Sequence, residues 1–235
     1  MCRVGICVVE YFTFFMLVVL MSACTSNVIS IDSKDRSNFT TLETSVPVSD
    51  KMGARLKLRA SRAEGVYSQT VPDGKLILID DIQIRGPTDV GGTTELSYGS
   101  ISVGSDNILD GGEELQHRLL ASVYFGLAQT LMDLTLVHDG ATYRINDRTT
   151  EFYMQGGVSY KVTPEFYAGG TYAMSMGPDL TGISEADLRM DYILSKHLQV
   201  MGGYRWLEYS YLVQEDDSIV RVEFRGPFIG LYMPF

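Results

Sequence analysis

The chain ends "RGPFIGLYMPF", Arg225 to Phe235, and within it Ile229, Leu231, Met233 and Phe235 fall on every second position. Successive side chains of a strand point to opposite faces, so these four apolar residues share one face. A segment that ended in water would fray and would carry polar residues. Alternation that runs to Phe235 therefore predicts a final strand held along its whole length, with an apolar medium over its outer face.

The same period-two pattern recurs upstream. In "TEFYMQGGVSYKV", Phe152, Met154, Gly156, Val158, Tyr160 and Val162 share one face, and Glu151, Tyr153, Gln155, Gly157, Ser159 and Lys161 share the other. In "SEADLRMDYIL", Ala186, Leu188, Met190, Tyr192 and Leu194 oppose Glu185, Asp187, Arg189, Asp191 and Ile193. One face is apolar and the other ionic, with Gly, Ser and Tyr among the charges, as a narrow polar lumen would require. Tight turns are predicted at Gln129–Thr130, Thr163–Pro164 and Lys196–His197, about thirty-three residues apart. Longer polar loops, "HDGATYRINDR" and "MGPDLTG", are expected between them. That spacing holds two strands of about 9–11 residues and a loop, the repeat of a transmembrane hairpin.

The pattern predicts an all-β fold, an antiparallel up-and-down transmembrane β-barrel of about ten strands over residues 53–235. The strands are expected at roughly 54–64, 75–85, 94–104, 117–128, 131–139, 149–162, 165–176, 184–195, 198–213 and 219–235. Eight strands remain open if the hairpin turning at Pro72–Gly74 packs outside the barrel. An even number would set both termini at one end.

The last strand resembles the C-terminal signal of bacterial outer-membrane β-barrel proteins, in which a terminal aromatic closes an alternating strand. The resemblance implies that Ile229, Leu231, Met233 and Phe235 form a barrel-assembly signal read by the barrel-insertion machinery, and that outer-membrane lipids cover the apolar faces. Pro234 lacks a ladder donor and fits only at a strand end.

At the other terminus, Arg3 precedes an apolar run from Tyr11 to Met21 and the small residues before Cys24. The run is shorter than the roughly 20 apolar residues of a membrane-spanning helix. Residues 1–23 are expected to be a signal sequence. "LMSAC" resembles a bacterial lipobox, which implies cleavage before Cys24 and acylation of that residue; the alternative is an uncleaved anchor helix from about Val4 to Ala23. All three cysteines, Cys2, Cys7 and Cys24, lie in this leader, so no internal disulfide is expected in the cleaved chain. Residues 24–52, rich in Ser, Thr and Asp, are expected to be the lipidated N-terminus and a flexible tether. The expected location is the bacterial outer membrane of a Gram-negative cell envelope, with the N-terminus periplasmic.

Net charge is -10 and no basic tract occurs, which argues against nucleic acid as a partner. His117 and His197 fall where solvated polar residues are ordinary. The adjacent His138 and Asp139 resemble the Asp–His pairing of the omptin proteases in residue type, with no acidic pair opposite them, so no catalytic residue is assigned. Gly156, Gly157, Gly169, Gly170, Gly202 and Gly203 lie inside predicted strands and are structural. No cofactor and no metal ligand set is predicted. Asp106, Asp110, Glu113 and Glu114, and likewise Glu215, Asp216 and Asp217, form acidic loops that could hold divalent cations, but their spacing resembles no metal loop and solvated loops of like charge are the favoured reading.

Counted by phase, a lumen charge network is expected from Arg55, Lys57, Arg59, Arg189 and Arg205 against Glu151, Asp187, Asp191 and Glu208. Adding Arg118, Lys161, Arg221 and Arg225, and Asp81, Asp133, Glu165, Glu185 and Glu223, leaves nine cations facing nine anions. Joining Arg205 to Glu208 requires a bulge near Trp206, and the last strand requires another near Gly226–Pro227. Balanced long side chains can pair across a small barrel. The expectation is a non-enzymatic barrel with a structural or surface-interaction role and a lumen closed by charge; a small pore is the alternative, and a rim-sited outer-membrane hydrolase the third reading.

Overall fold

A computed structural model describes residues 28–32, 35–49, 54–74, 76–79, 82–106, 119–177, 181–213 and 218–235. Cys24, His117, Asp81, Arg118 and most of the acidic loop residues lie outside them.

The described residues are strands joined by turns, with no helix among them. Nine strands close a barrel: β2 (Asp35–Ser49), β3 (Ala54–Val71), β6 (Thr88–Asp106), β7 (Leu119–His138), β8 (Ala141–Lys161), β9 (Phe166–Met176), β10 (Gly182–Ser195), β11 (Leu198–Val213) and β12 (Ser218–Pro234). Each pairs antiparallel with its sequence neighbour in the barrel. Closure is parallel, Phe228–Pro234 of β12 against Phe39–Ser45 of β2. With an odd number of up-and-down strands the first and last run the same way, so parallel closure follows from the count. β1 (Val28–Asp32) continues that edge, pairing parallel with Ile219–Glu223.

Three differences from the predicted strands give nine. Asp35–Ser49, expected to be tether, is β2 of the barrel. Its Ser37, Phe39, Thr41, Glu43 and Ser45 are buried while Asn38, Thr40, Leu42 and Val46 are exposed. The alternation is real, but polar residues facing a polar interior give little hydropathy contrast. The predicted strand 75–85 is no barrel strand: β4 (Leu76–Ile79) and β5 (Ile82–Arg85) form a separate antiparallel pair. Ile84 is fully buried against the interior cluster, so this hairpin folds over one barrel end.

The turn expected at Gln129–Thr130 is the third difference, since β7 runs straight through it and Thr130 is fully buried. The actual turn is Asp139–Gly140, with φ of 49° and 76°. Positive φ at both central residues is the two-residue hairpin geometry that Asp-Gly supplies, so "HDGATYRINDR" is mostly strand. The turns at Thr163–Pro164 and Lys196–His197 stand as expected. Nine strands also place the start of β2 and Phe235 at opposite ends, which removes the reason for setting both termini on one side.

The outer wall changes character along the strands. Toward the C-terminal end it is apolar: Leu42, Leu58, Ile101, Phe125, Phe152, Leu188, Met190, Tyr192, Trp206, Ile229 and Leu231 are all exposed. Toward the other end the same outer phase carries Arg62, Glu64, Glu95, Asp133, Arg144, Arg148, Glu208, Arg221, Glu223 and Arg225. The interior does the reverse. Tyr67, Leu96, Leu134, Tyr209, Val222 and Phe224 form an apolar core beneath the β4–β5 hairpin, whereas the interior under the apolar wall is charged. No bulge is needed for this exchange. The β11–β12 register is unbroken from Gln199↔Tyr232 to Val213↔Ser218, so the expected bulges near Trp206 and Gly226–Pro227 do not occur. A Cβ on Gly203 would stand 2.0 Å from Leu188 O, which supports the structural reading of that glycine.

Candidate functional site: a charged lumen with a vestibule

The charged half of the lumen is built by side chains at inward positions of β2, β3, β8, β10 and β11. Arg205 and Arg59 sit at its centre, each with its side chain 1% exposed. Arg205 donates from Nε and Nη2 to the two oxygens of Asp187 at 2.6 and 2.8 Å. Its Nη1 donates to Thr41 Oγ1 at 2.8 Å and Ser61 Oγ at 2.7 Å. The guanidinium also lies 4.6 Å from the Phe228 ring centre and 5.5 Å from that of Phe39. This bidentate, stacked geometry is one that a lysine could not reproduce.

Arg59 bridges the carboxylates. It pairs with Glu185, lies 3.2 Å from Glu43 and 3.7 Å from Asp187, and donates to Tyr153 OH at 3.4 Å. Tyr98 donates its hydroxyl to Glu185. Lys57 reaches Glu43 at 3.0 Å and Gln155 Oε1 at 3.1 Å, and Arg189 holds Asp191 at 3.0 Å and faces Glu43 at 3.8 Å. Glu151 accepts hydrogen bonds from Thr149 and Ser175. Arginine and carboxylate therefore satisfy one another in an interior that would strongly penalise either alone. One end of the barrel is packed with aromatic and aliphatic side chains, and its middle holds a buried network of ion pairs.

Toward the C-terminal end the network opens into a vestibule of about 330 Å³, floored by Lys57, Gln155 and Arg189 and rimmed by Arg55, Asp106 and Tyr232. Arg55 bonds Ser45 Oγ at 3.0 Å and stands 3.9 Å from Asp106, at the mouth rather than in the network. Of the expected lumen residues, Lys57, Arg59, Glu151, Asp187, Arg189, Asp191 and Arg205 are thus gathered inside. Glu208 is not. Without a bulge it shares the outer phase of Tyr204 and Trp206 and pairs with Arg221 at 2.9 Å on the outer wall. Arg225 and Glu223 also pair on that wall, and Asp133 is exposed. Glu43, the carboxylate that ties Lys57, Arg59 and Arg189 together, was missed because β2 was missed; its place in the alternation Phe39, Thr41, Glu43, Ser45 was the available signal.

The remaining candidates are peripheral. His138 Nε2 lies 3.4 Å from Asp139 Oδ2 and its Nδ1 3.3 Å from Thr88 Oγ1, in the β7–β8 turn. His197 stacks on Phe235 with ring centres 6.4 Å apart. Asp106 accepts a hydrogen bond from Tyr124 OH at 2.9 Å, and among the described residues no three His, Cys, Asp or Glu side chains gather as a metal site. Ile229, Leu231 and Phe235 face outward, 62%, 42% and 65% exposed. On the polar half, Tyr209 donates to Asp147 at 2.5 Å; burial and that carboxylate push the phenol well above its usual range, which keeps it a donor. No family model, curated protein or solved structure matches this chain.

Proposed function

We infer that the protein is a non-enzymatic outer-membrane β-barrel with a structural or surface-interaction role, its membrane-embedded half closed by the charge network. The observation that carries this is the exchange of faces along uninterrupted strands. In water, an apolar core with a polar wall is stable and the inverse is not. In this barrel both arrangements occur, one at each end. The inverted half has outward apolar runs of five alternate positions, such as Ala186 to Leu194 and Leu198 to Trp206. Nine residues at about 3.3 Å each, tilted as barrel strands are, span about 20–24 Å, close to the roughly 25 Å apolar band of a transmembrane barrel. Outer-membrane lipids are the partners this belt fits. The polar half, packed like a soluble barrel, would then project from the bilayer as the surface-interaction region.

The pore reading is the alternative that the lumen bears on directly. A pore needs a continuous aqueous path, commonly lined with an excess of one charge sign. Here Arg59, Arg205, Lys57 and Arg189 are paired against Glu43, Glu185, Asp187 and Asp191. Purified protein in planar bilayers is expected to give no steady conductance. Reproducible single-channel steps would replace the closed-lumen reading with the pore.

Two further parts of the proposal concern the termini. Cys24 is the acylated first residue of the exported chain, as its lipobox-like surroundings imply: Cys24→Ser should abolish incorporation of labelled fatty acid and leave precursor. Intact mass showing residues 1–23 still attached to the wild-type protein would refute it. Phe235, at the end of the strand that closes the barrel, is the residue presented to the barrel-insertion machinery. Its deletion should lower the yield of heat-modifiable barrel in outer membranes several-fold compared with deletion of Ser26, and equal yields would remove the assembly-signal role.

A further inference from the structure

We propose that the vestibule at the C-terminal end is a binding site for a small uncharged polyhydroxy ligand of monosaccharide size. The first observation is an unpartnered donor. Gln155 is 2% exposed, its Oε1 accepts from Lys57 Nζ at 3.1 Å, and its Nε2 has no hydrogen-bond partner. The amide cannot be turned round, because the ammonium of Lys57 offers only donors and fixes the oxygen toward itself. Gln155 lines the vestibule, and its NH₂ is a buried donor without an acceptor, one that a ligand oxygen reaching the amide would satisfy.

The second observation is charge. The vestibule holds three cations, Arg55, Lys57 and Arg189, and three carboxylates, Glu43, Asp106 and Asp191. The carboxylates are already engaged: Glu43 by Lys57 and Arg59, Asp191 by Arg189, and Asp106 by Tyr124. A ligand of either net charge would disturb this balance, whereas an uncharged one leaves it intact. The polar remainder of the wall is hydroxyl, amide and phenol, including Ser122, Ser159, Thr171, Gln199 and Tyr167, with Leu120, Ala121 and Pro234 as its apolar part. Hydroxyl and amide side chains both donate and accept, which matches a ligand whose own hydroxyls do both. The volume lies at the lower end of small-molecule pockets. Arg55 and Asp106 at the mouth have side chains 26% and 41% exposed, so the site is reached from that end of the barrel whether or not the outer belt lies in lipid.

The test is calorimetric titration of the full-length protein in a detergent without a sugar head group, with D-glucose, D-galactose, D-mannose and D-ribose as probes and gluconate and glucosamine as charged counterparts. At least one uncharged sugar should bind with a low-millimolar Kd, the charged counterparts at least tenfold more weakly. Gln155→Leu should weaken the bound sugar at least tenfold while the barrel stays heat-modifiable. Should that variant lose heat-modifiable migration, Tyr167→Ala on the vestibule wall carries the same expectation. The proposal is overturned if no sugar in the panel saturates below 50 mM as an experimental ceiling on the order of very weak binding, if a charged counterpart binds as well, or if the folded vestibule variant binds unchanged.

Discussion

Arg205→Ala is expected to destabilise the barrel by about 3–5 kcal/mol, the cost of leaving one member of a buried ion pair without the other. The cation is fully enclosed, and its removal takes both short charged hydrogen bonds from Asp187, leaving that buried carboxylate only the longer one from Thr171 at 3.4 Å, while Thr41 and Ser61 lose their shared donor and keep each other. It also removes the planar group lying over Phe228. Arg59 cannot take over, since it is committed to Glu185 and Glu43 and stands 3.7 Å from Asp187. Unfolding would be followed by urea titration in lipid vesicles, with heat-modifiable migration reporting the folded fraction. Arg225→Ala is the control: its side chain is 53% exposed on the outer wall, where an ion pair contributes about 0–1 kcal/mol. Combining Arg205→Met with Asp187→Asn should recover part of the loss, because the stranded charge rather than the missing contact dominates. An Arg205→Ala variant within about 1 kcal/mol of wild type, on the scale of an ordinary substitution, would mean that the lumen is wet and the network does not close it.

The residues of that network divide by how plainly the sequence shows them. Asp187, Arg189 and Asp191 stand between Ala186, Leu188, Met190 and Tyr192, where every second residue is apolar and the inward phase is unmistakable. Glu43 stands between Leu42 and Thr44 in a segment of Ser and Thr. Its strand has the same geometry but almost no contrast in hydropathy, so the alternation Phe39, Thr41, Glu43, Ser45 marks its phase only faintly. Glu208 failed for a different reason. The rule that apolar residues face outward holds only along the apolar half of the wall, and β11 passes from that half to the polar one between Trp206 and Glu208. Applying the rule along the whole strand forced a bulge into β11 and another into β12, and neither exists. Thr130 misled as a turn residue because it is a small polar side chain buried inside the barrel, a context that composition alone does not disclose.

The same exchange of faces sets the second large effect, a difference between two arginines introduced on one outer wall. Met190 is the middle of the five outward apolar positions of β10, 55% exposed, and sits beside Ala168 and Gly202 on the neighbouring strands. If lipid covers it, Met190→Arg places a cation near the bilayer midplane, which in transmembrane barrels costs about 2–4 kcal/mol. Thr93 is also exposed and also outward, but it lies on the polar half of β6 between Val66 and Thr135 of its neighbours. Thr93→Arg should change stability by no more than about 0.5 kcal/mol, as surface substitutions in water do. Both variants would be unfolded in urea from phospholipid vesicles. A barrel that stood in water throughout would tolerate the two substitutions alike, since replacing an exposed methionine by a longer, soluble side chain removes little. A gap of about 2 kcal/mol or more between them, at the lower bound for a midplane cation, is what the lipid-covered belt requires, and its absence would return the apolar wall to a protein partner or to a second copy of the chain.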